Sequence, residues 1–160
     1  MRLKALSLLA AVSLLAAACE SAPESGAGAG GTAAAAPAAT TSGANQAGLR
    51  AEAGDRVFFA FDKSDITPEA RQILQKQADW LKKYSQVTVT IEGHCDERGT
   101  REYNLALGER RATAVKNALV ALGIPAARVS TISYGKERPA VVGSNEAAWA
   151  QNRRGVTTVN

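Results

Sequence analysis

Residues 87–112 read VTVTIEGHCDERGTREYNLALGERRA, and a change of period inside this stretch decides the fold. From Val87 to Gly93 apolar and polar residues alternate: Val87, Val89 and Ile91 fall on one face, Thr88, Thr90 and Glu92 on the other. A period of two is that of a half-buried strand. From about Thr100 the pattern turns helical, with Leu105, Ala112, Val115, Leu119 and Leu122 as its apolar positions, until Gly123 stops it and Pro125 follows. Between strand and helix lies GHCDERG, whose two glycines, Gly93 and Gly99, permit a tight loop with exposed backbone.

On the N-terminal side, RVFFAFD (Arg56 to Asp62) is β-rich and predicts a buried strand. Thr67-Pro68-Glu69 opens a helix, with threonine as the cap, proline at the first helical position and an acid in the first turn. Its apolar face runs through Ile73, Leu74, Ala78 and Leu81 to Tyr84. On the C-terminal side, RVSTISYG (Arg128 to Gly135) reads as a third strand, KERPAVVGS as a loop, NEAAWAQNRR as a short helix and GVTTVN as a last strand. The order β-α-β-α-β-(α)-β predicts an α/β sandwich over residues 50–160, with helices packed on a small mixed sheet.

The first fifty residues differ in kind. Arg2 and Lys4 precede an uncharged apolar run from Ala5 to Ala18, which is too short to span a bilayer. A basic start, an apolar centre and small residues before a break predict a signal peptide over residues 1–18. The end of that segment, Ala16-Ala17-Ala18-Cys19, resembles the bacterial lipobox, with Ala16 where that pattern most often has leucine. The resemblance implies that Cys19 is lipidated, and Glu20 after it points to the outer membrane. Residues 19–49 are then a lipidated N-terminus and a flexible tether rich in Ala, Gly, Ser, Thr and Pro, with too little apolar surface to offset its ordering entropy. About 30 residues of such chain have an end-to-end distance of roughly 30 Å and stretch to about 100 Å.

Nineteen basic against fifteen acidic residues give a net charge of +4, scattered rather than blocked, and aromatic residues make up only 5%. Nucleic-acid binding has no support in such a pattern. With Cys19 lipidated, Cys95 has no partner in the chain for a disulfide.

EGHCDERGT admits three readings. A metal site needs three or four ligands from converging segments, whereas His94, Cys95 and Asp96 are consecutive and the chain has no second histidine. No metal and no cofactor is expected. A catalytic Cys/His pair needs the base within reach of the nucleophile, which sequence neighbours rarely achieve. A hydrolase using the carboxylates of Asp62 and Asp96 is an alternative, but it needs one of them raised in pKa, and nearby basic residues oppose that. The third reading is a charged ligand held beyond the carboxyl ends of the strands. Asp62 and Asp96 fall there if their strands are parallel neighbours. Asn104, Leu107 and Arg111, at i, i+3 and i+7, share one helix face, and the planar fork of Arg111 suits a carboxylate. An aspartate and an arginine facing one pocket match a group with both an ammonium and a carboxylate. A solvated helix face at Arg110 and Arg111, and a surface pair between Glu97 and Arg101, are the plain alternatives.

The ordered set FAFDKSDI, VTVTIEGHCDERGTREYNLALGERRATAV, SYGKERPAV and NEAAWAQNRR closely resembles the OmpA-like peptidoglycan-binding family of the Gram-negative envelope, over roughly Arg56 to Asn160. The resemblance implies non-enzymatic binding of peptidoglycan through the meso-diaminopimelate of its stem peptide. Matched position by position, it gives Asp96 the ammonium and Arg111 the carboxylate. Phe61 and Asp62 line the pocket, Arg98 contributes through the loop, and Asn104 and Leu107 complete the wall. It also implies a periplasmic propeller protein of the Tol system as a partner. Cys95 departs from the family pattern, where a small residue is usual.

Overall fold

The computed structural model describes residues 43–160. The expected signal peptide, the lipidation site Cys19 and the tether up to residue 42 lie outside the described residues.

Four strands form one sheet: β1 (Arg56–Phe58), β2 (Val89–His94), β3 (Val129–Gly135) and β4 (Arg154–Val159), in the order β1-β4-β2-β3. β2 and β3 pair in parallel, while β4 runs antiparallel to both β1 and β2. The mixed sheet is as expected, but β1 and β2 are not neighbours. β4 lies between them, so they run in the same direction about 10 Å apart. Their carboxyl ends still share one edge of the sheet, with the start of β4 between them.

The helices α2 (Pro68–Lys83) and α3 (Arg101–Ala121) pack on one face of the sheet. Leu74, Ala78 and Leu81 from α2 meet Ala112, Val115 and Leu119 from α3 and Val57, Val89, Ile91 and Val129 from the strands. Both helices start as their sequences dictate: the hydroxyls of Thr67 and Thr100 accept hydrogen bonds from the N–H groups of Ala70 and Tyr103. A short helix, α4 (Glu146–Asn152), precedes β4 and is capped by Asn145.

Two boundaries move. The folded part begins before residue 50, with a further helix, α1 (Gln46–Glu52). Its Leu49 is 0% exposed in the core, and the Gln46 amide bonds Thr157 O and Val159 N–H of β4. One apolar anchor in seven residues has no period for a sequence reading to detect. The first strand ends at Phe58, not Asp62: the chain turns there, with Lys63 N–H bonding Ala60 O and Asp62 at φ 57° in the left-handed region.

α3 lies against β2 and β3 backbone to backbone. A Cβ on Gly93 would stand 1.8 Å from Gly108 O, and one on Gly108 would stand 2.2 Å from Ser133 Oγ. Only glycine permits that approach, and it brings the N-terminal turns of α3 over the end of β2. Gly93→Ala is therefore expected to push the helix off the sheet. The urea midpoint should fall by an amount equivalent to roughly 1–3 kcal/mol or more; an unchanged midpoint would show that the close contact is dispensable.

Candidate functional site

The loop after β1, the loop 95–100 after β2 and the first turns of α3 enclose a hollow of about 160 Å³. Phe61, Asp62, Asp96, Arg98, Asn104, Leu107 and Arg111, all seven residues named from the sequence, line it. Cys95, Gly99 and Tyr103 complete the lining.

Arg111 sits at the centre of its construction. It is 0% exposed, and its guanidinium donates to three backbone carbonyls: Nε to Lys63 O at 2.8 Å, Nη1 to His94 O at 2.8 Å and Nη2 to Ala60 O at 3.1 Å. One side chain of α3 thus ties the turn after β1 to the end of β2. The ring of Phe59 lies 5.2 Å from its guanidinium carbon. Burial lowers the pKa of Arg111, though a guanidinium keeps its charge. Removing it would orphan the buried carbonyl of His94, at roughly 1–3 kcal/mol, and leave the part-buried carbonyls of Ala60 and Lys63 without this donor. Arg111 is a brace as well as a candidate contact.

Asp96 is not paired with Arg111. Its Oδ1 accepts from the Arg98 backbone N–H (3.1 Å) and Nε (3.2 Å), and its Oδ2 from Arg98 Nη2 (2.6 Å) and Arg153 Nη1 (3.4 Å). Burial pushes the carboxyl up in pKa, but the hydrogen bonds from Arg98 and Arg153 outweigh it and hold the group below the usual carboxylate range. The Arg98 guanidinium lies between two aromatic rings, 4.0 Å from the Phe61 centroid and 4.1 Å from that of Trp149. Asp62, on the opposite lip, is exposed and accepts a short hydrogen bond from the Tyr103 hydroxyl.

The loop is fixed from several sides. Asn104 Nδ2 donates to Arg98 O and Thr100 O, and Lys136 Nζ to Glu97 O and Gly99 O. Glu97 does not pair with Arg101; it accepts from Trp149 Nε1 at 3.0 Å, and Arg101 meets Glu137 instead. Arg153 is the residue that sequence reasoning missed. Just before β4 it ties the chain after β1 to the loop after β2, donating to Phe59 O, Asp96 and Glu146. Its position between β1 and β2 follows from the strand order, which local pattern does not reveal.

The two residues that drew attention in the sequence have separate fates. Cys95 is buried, its thiol donates to Asn104 O, and burial raises its pKa. His94 lies outside the hollow, against Tyr134 with ring centroids 5.5 Å apart. Its Nε2 meets Glu92 at 3.3 Å. Among the described residues, no three His, Cys, Asp or Glu side chains are grouped to hold a metal ion, and no helix is long and apolar enough to cross a membrane.

The OmpA family model matches residues 58–153, which take in the whole lining of the hollow. The chain belongs to the OmpA family. It is the family that the motifs around GHCDERGT indicate. A peptidoglycan-associated lipoprotein of Brucella melitensis is 53% identical over 122 residues, 76% of this chain and 72% of that protein. Its counterpart in Haemophilus influenzae is 46% identical over 151 residues, 94% of each chain. The crystal structure of the peptidoglycan-associated lipoprotein from Burkholderia pseudomallei matches with a TM-score of 0.65 at 44% identity, over 66% of this chain and 90% of that one. The periplasmic domain of Helicobacter pylori MotB shares the fold, at 21% identity and a TM-score of 0.56 over 64% of this chain and 69% of that one.

The buried histidine gives the domain a pH dependence. Burial, then the charge of Arg154, lowers the His94 pKa to about 4 against an unfolded value near 6.5. The unfolded chain then binds the proton more readily, so stability falls as pH drops through that window. Between pH 7 and pH 4.5 the domain should lose roughly 2–3 kcal/mol by urea denaturation from this group, and His94→Gln should lose less. Equal losses in both proteins would remove His94 as the cause.

Proposed function

We propose that the chain is a lipid-anchored protein of the outer membrane whose periplasmic domain binds peptidoglycan without cleaving it, through the diaminopimelate of the stem peptide. The observation that carries this reading is that one hollow is lined by Asp62, Asp96 and Arg111, with no ion pair between these acids and Arg111 among the described residues. Opposite charges held apart across a small cavity suit a zwitterionic side-chain end. The ammonium goes to Asp96 with Asp62 in support. The carboxylate goes to the two of the five Arg111 N–H groups that the three carbonyls leave over. Phe61, Leu107 and Asn104 pack against the methylenes between, and Arg98 shapes the loop. The names of the relatives from Brucella and Haemophilus, peptidoglycan-associated lipoproteins, support association with peptidoglycan and a lipid anchor.

Hydrolysis by Asp62 and Asp96 finds no support in the site. A general acid needs a raised pKa, and the arginines hold Asp96 low. A few charge-assisted hydrogen bonds of about 1.5–3 kcal/mol each, less immobilisation costs, make one contact modest in affinity. Many copies, each anchored at Cys19 and leashed to one wall polymer, convert modest contacts into firm attachment through effective concentration. By the same family resemblance, a propeller protein of the Tol system is the protein partner, and the linkage serves envelope integrity during division.

The test is sedimentation of the purified full chain with peptidoglycan sacculi. The chain should pellet with the wall and release no soluble fragments. Amidating the diaminopimelate carboxylate should weaken pelleting by at least about tenfold, the lower worth of one such hydrogen bond. Equal pelleting with the amidated wall, or release of fragments, would contradict the reading.

A further inference from the structure

The acid assigned to the ammonium is already full. An ionised carboxylate has about four lone-pair sites, and Asp96 receives four donors, three of them from Arg98 and one from Arg153. No acceptor site remains for a guest. The two arginines differ in how they can leave. The Arg153 side chain is 8% exposed and is also tied to Phe59 O and Glu146. The Arg98 side chain is 31% exposed, and its guanidinium bonds only Asp96 among the described residues. Its other contacts are the ring faces of Phe61 and Trp149, and Phe61 is itself 57% exposed. The backbone of Arg98 is held separately, through its carbonyl to Asn104 and its N–H to Asp96, so the side chain can swing out while the loop stays.

We propose that Arg98 is a displaceable internal cation: its guanidinium occupies Asp96, and the guest's ammonium binds by taking its place. This rests on the ligand reading above and adds what that reading lacks, a route by which Asp96 becomes available. Binding is then an exchange of one cation for another at a single carboxylate. An ammonium alone gains little, because the ion pair it makes replaces one that is lost. Net affinity comes from the rest of the guest, above all the carboxylate. Arg98 thereby sets a threshold that a bare ammonium does not cross. The displaced guanidinium keeps solvent and the two aromatic faces as its alternatives, which makes the exchange reversible.

The exchange lowers every affinity by the fraction of time that the site is open. Calorimetric titration of the full chain, wild type and Arg98→Gln, against two soluble stem peptides reads this directly. One peptide ends in meso-diaminopimelate and the other carries lysine at that position. Arg98→Gln should bind both about tenfold more tightly, and by the same factor, as removal of a one-in-ten open fraction predicts. In the wild type, the Arg98 side-chain N–H signal in nuclear magnetic resonance should move to a solvent-exposed position on saturation with the diaminopimelate peptide. That measurement needs no variant and stands even if Arg98→Gln misfolds. Unchanged or weaker binding by a folded Arg98→Gln, or an Arg98 signal that does not move at saturation, overturns the exchange while leaving the binding reading intact. Failure of the wild type to bind the diaminopimelate peptide at all overturns both.

Discussion

One buried guanidinium holds the site together. Arg111 reaches from α3 to the carbonyls of Ala60, Lys63 and His94, so three segments far apart in sequence meet on a single planar group. A lysine in its place would offer one compact ammonium in place of a fork, and the three carbonyls lie in directions that a fork serves better. The brace is possible because Gly93 and Gly108 let α3 approach β2 to backbone contact, which brings the base of Arg111 close enough to span them. Packing and recognition are therefore not separable at this residue. The geometry that makes Arg111 a candidate anion contact also makes it part of the fold.

Around that brace, charge is distributed by strand order. β1 and β2 run the same way on either side of β4, so their exit loops face each other across the first residues of β4. Arg153 at that point binds Asp96 and the Phe59 carbonyl together and keeps the acid ionised in a buried setting. Arg98 does the same from the open side, between Phe61 and Trp149. The site is thus electrically quiet: its buried acid is satisfied and its buried base is used by carbonyls. A guest with charges of both signs can enter such a site by exchanging partners, without leaving any charge bare in the interior.

Much of this was legible in the sequence, for local reasons. The alternation of Val87 to Gly93, the cap Thr67, the helix start near Thr100 and the stop at Gly123 are written in neighbouring residues, and the corresponding elements formed within about two residues of where they were expected. Asn104, Leu107 and Arg111 reach one hollow because helical spacing alone puts them on one face. What was not legible depends on distant partners. Insertion of β4 between β1 and β2 is a tertiary choice that no window of residues records. Arg153 and Trp149 enter the site only through that choice, from a helix and strand some fifty residues beyond the loop that they support. The closed pairing of Arg98 on Asp96 was hidden for the same reason: GHCDERG shows both charges but not which partner each takes. α1 escaped notice because a single leucine anchors it, and the strand at Arg56 was read too long because the left-handed turn at Asp62 has no glycine to announce it.

The most direct test of the account is a crystal structure of the chain with a stem peptide ending in meso-diaminopimelate. The account predicts the side-chain ammonium about 3 Å from an Asp96 oxygen, the neighbouring carboxylate against the free edge of Arg111, and the Arg98 guanidinium swung away from the acid. A peptide seated elsewhere on the domain, or one whose diaminopimelate end points into solvent while Arg98 still covers Asp96, would contradict it.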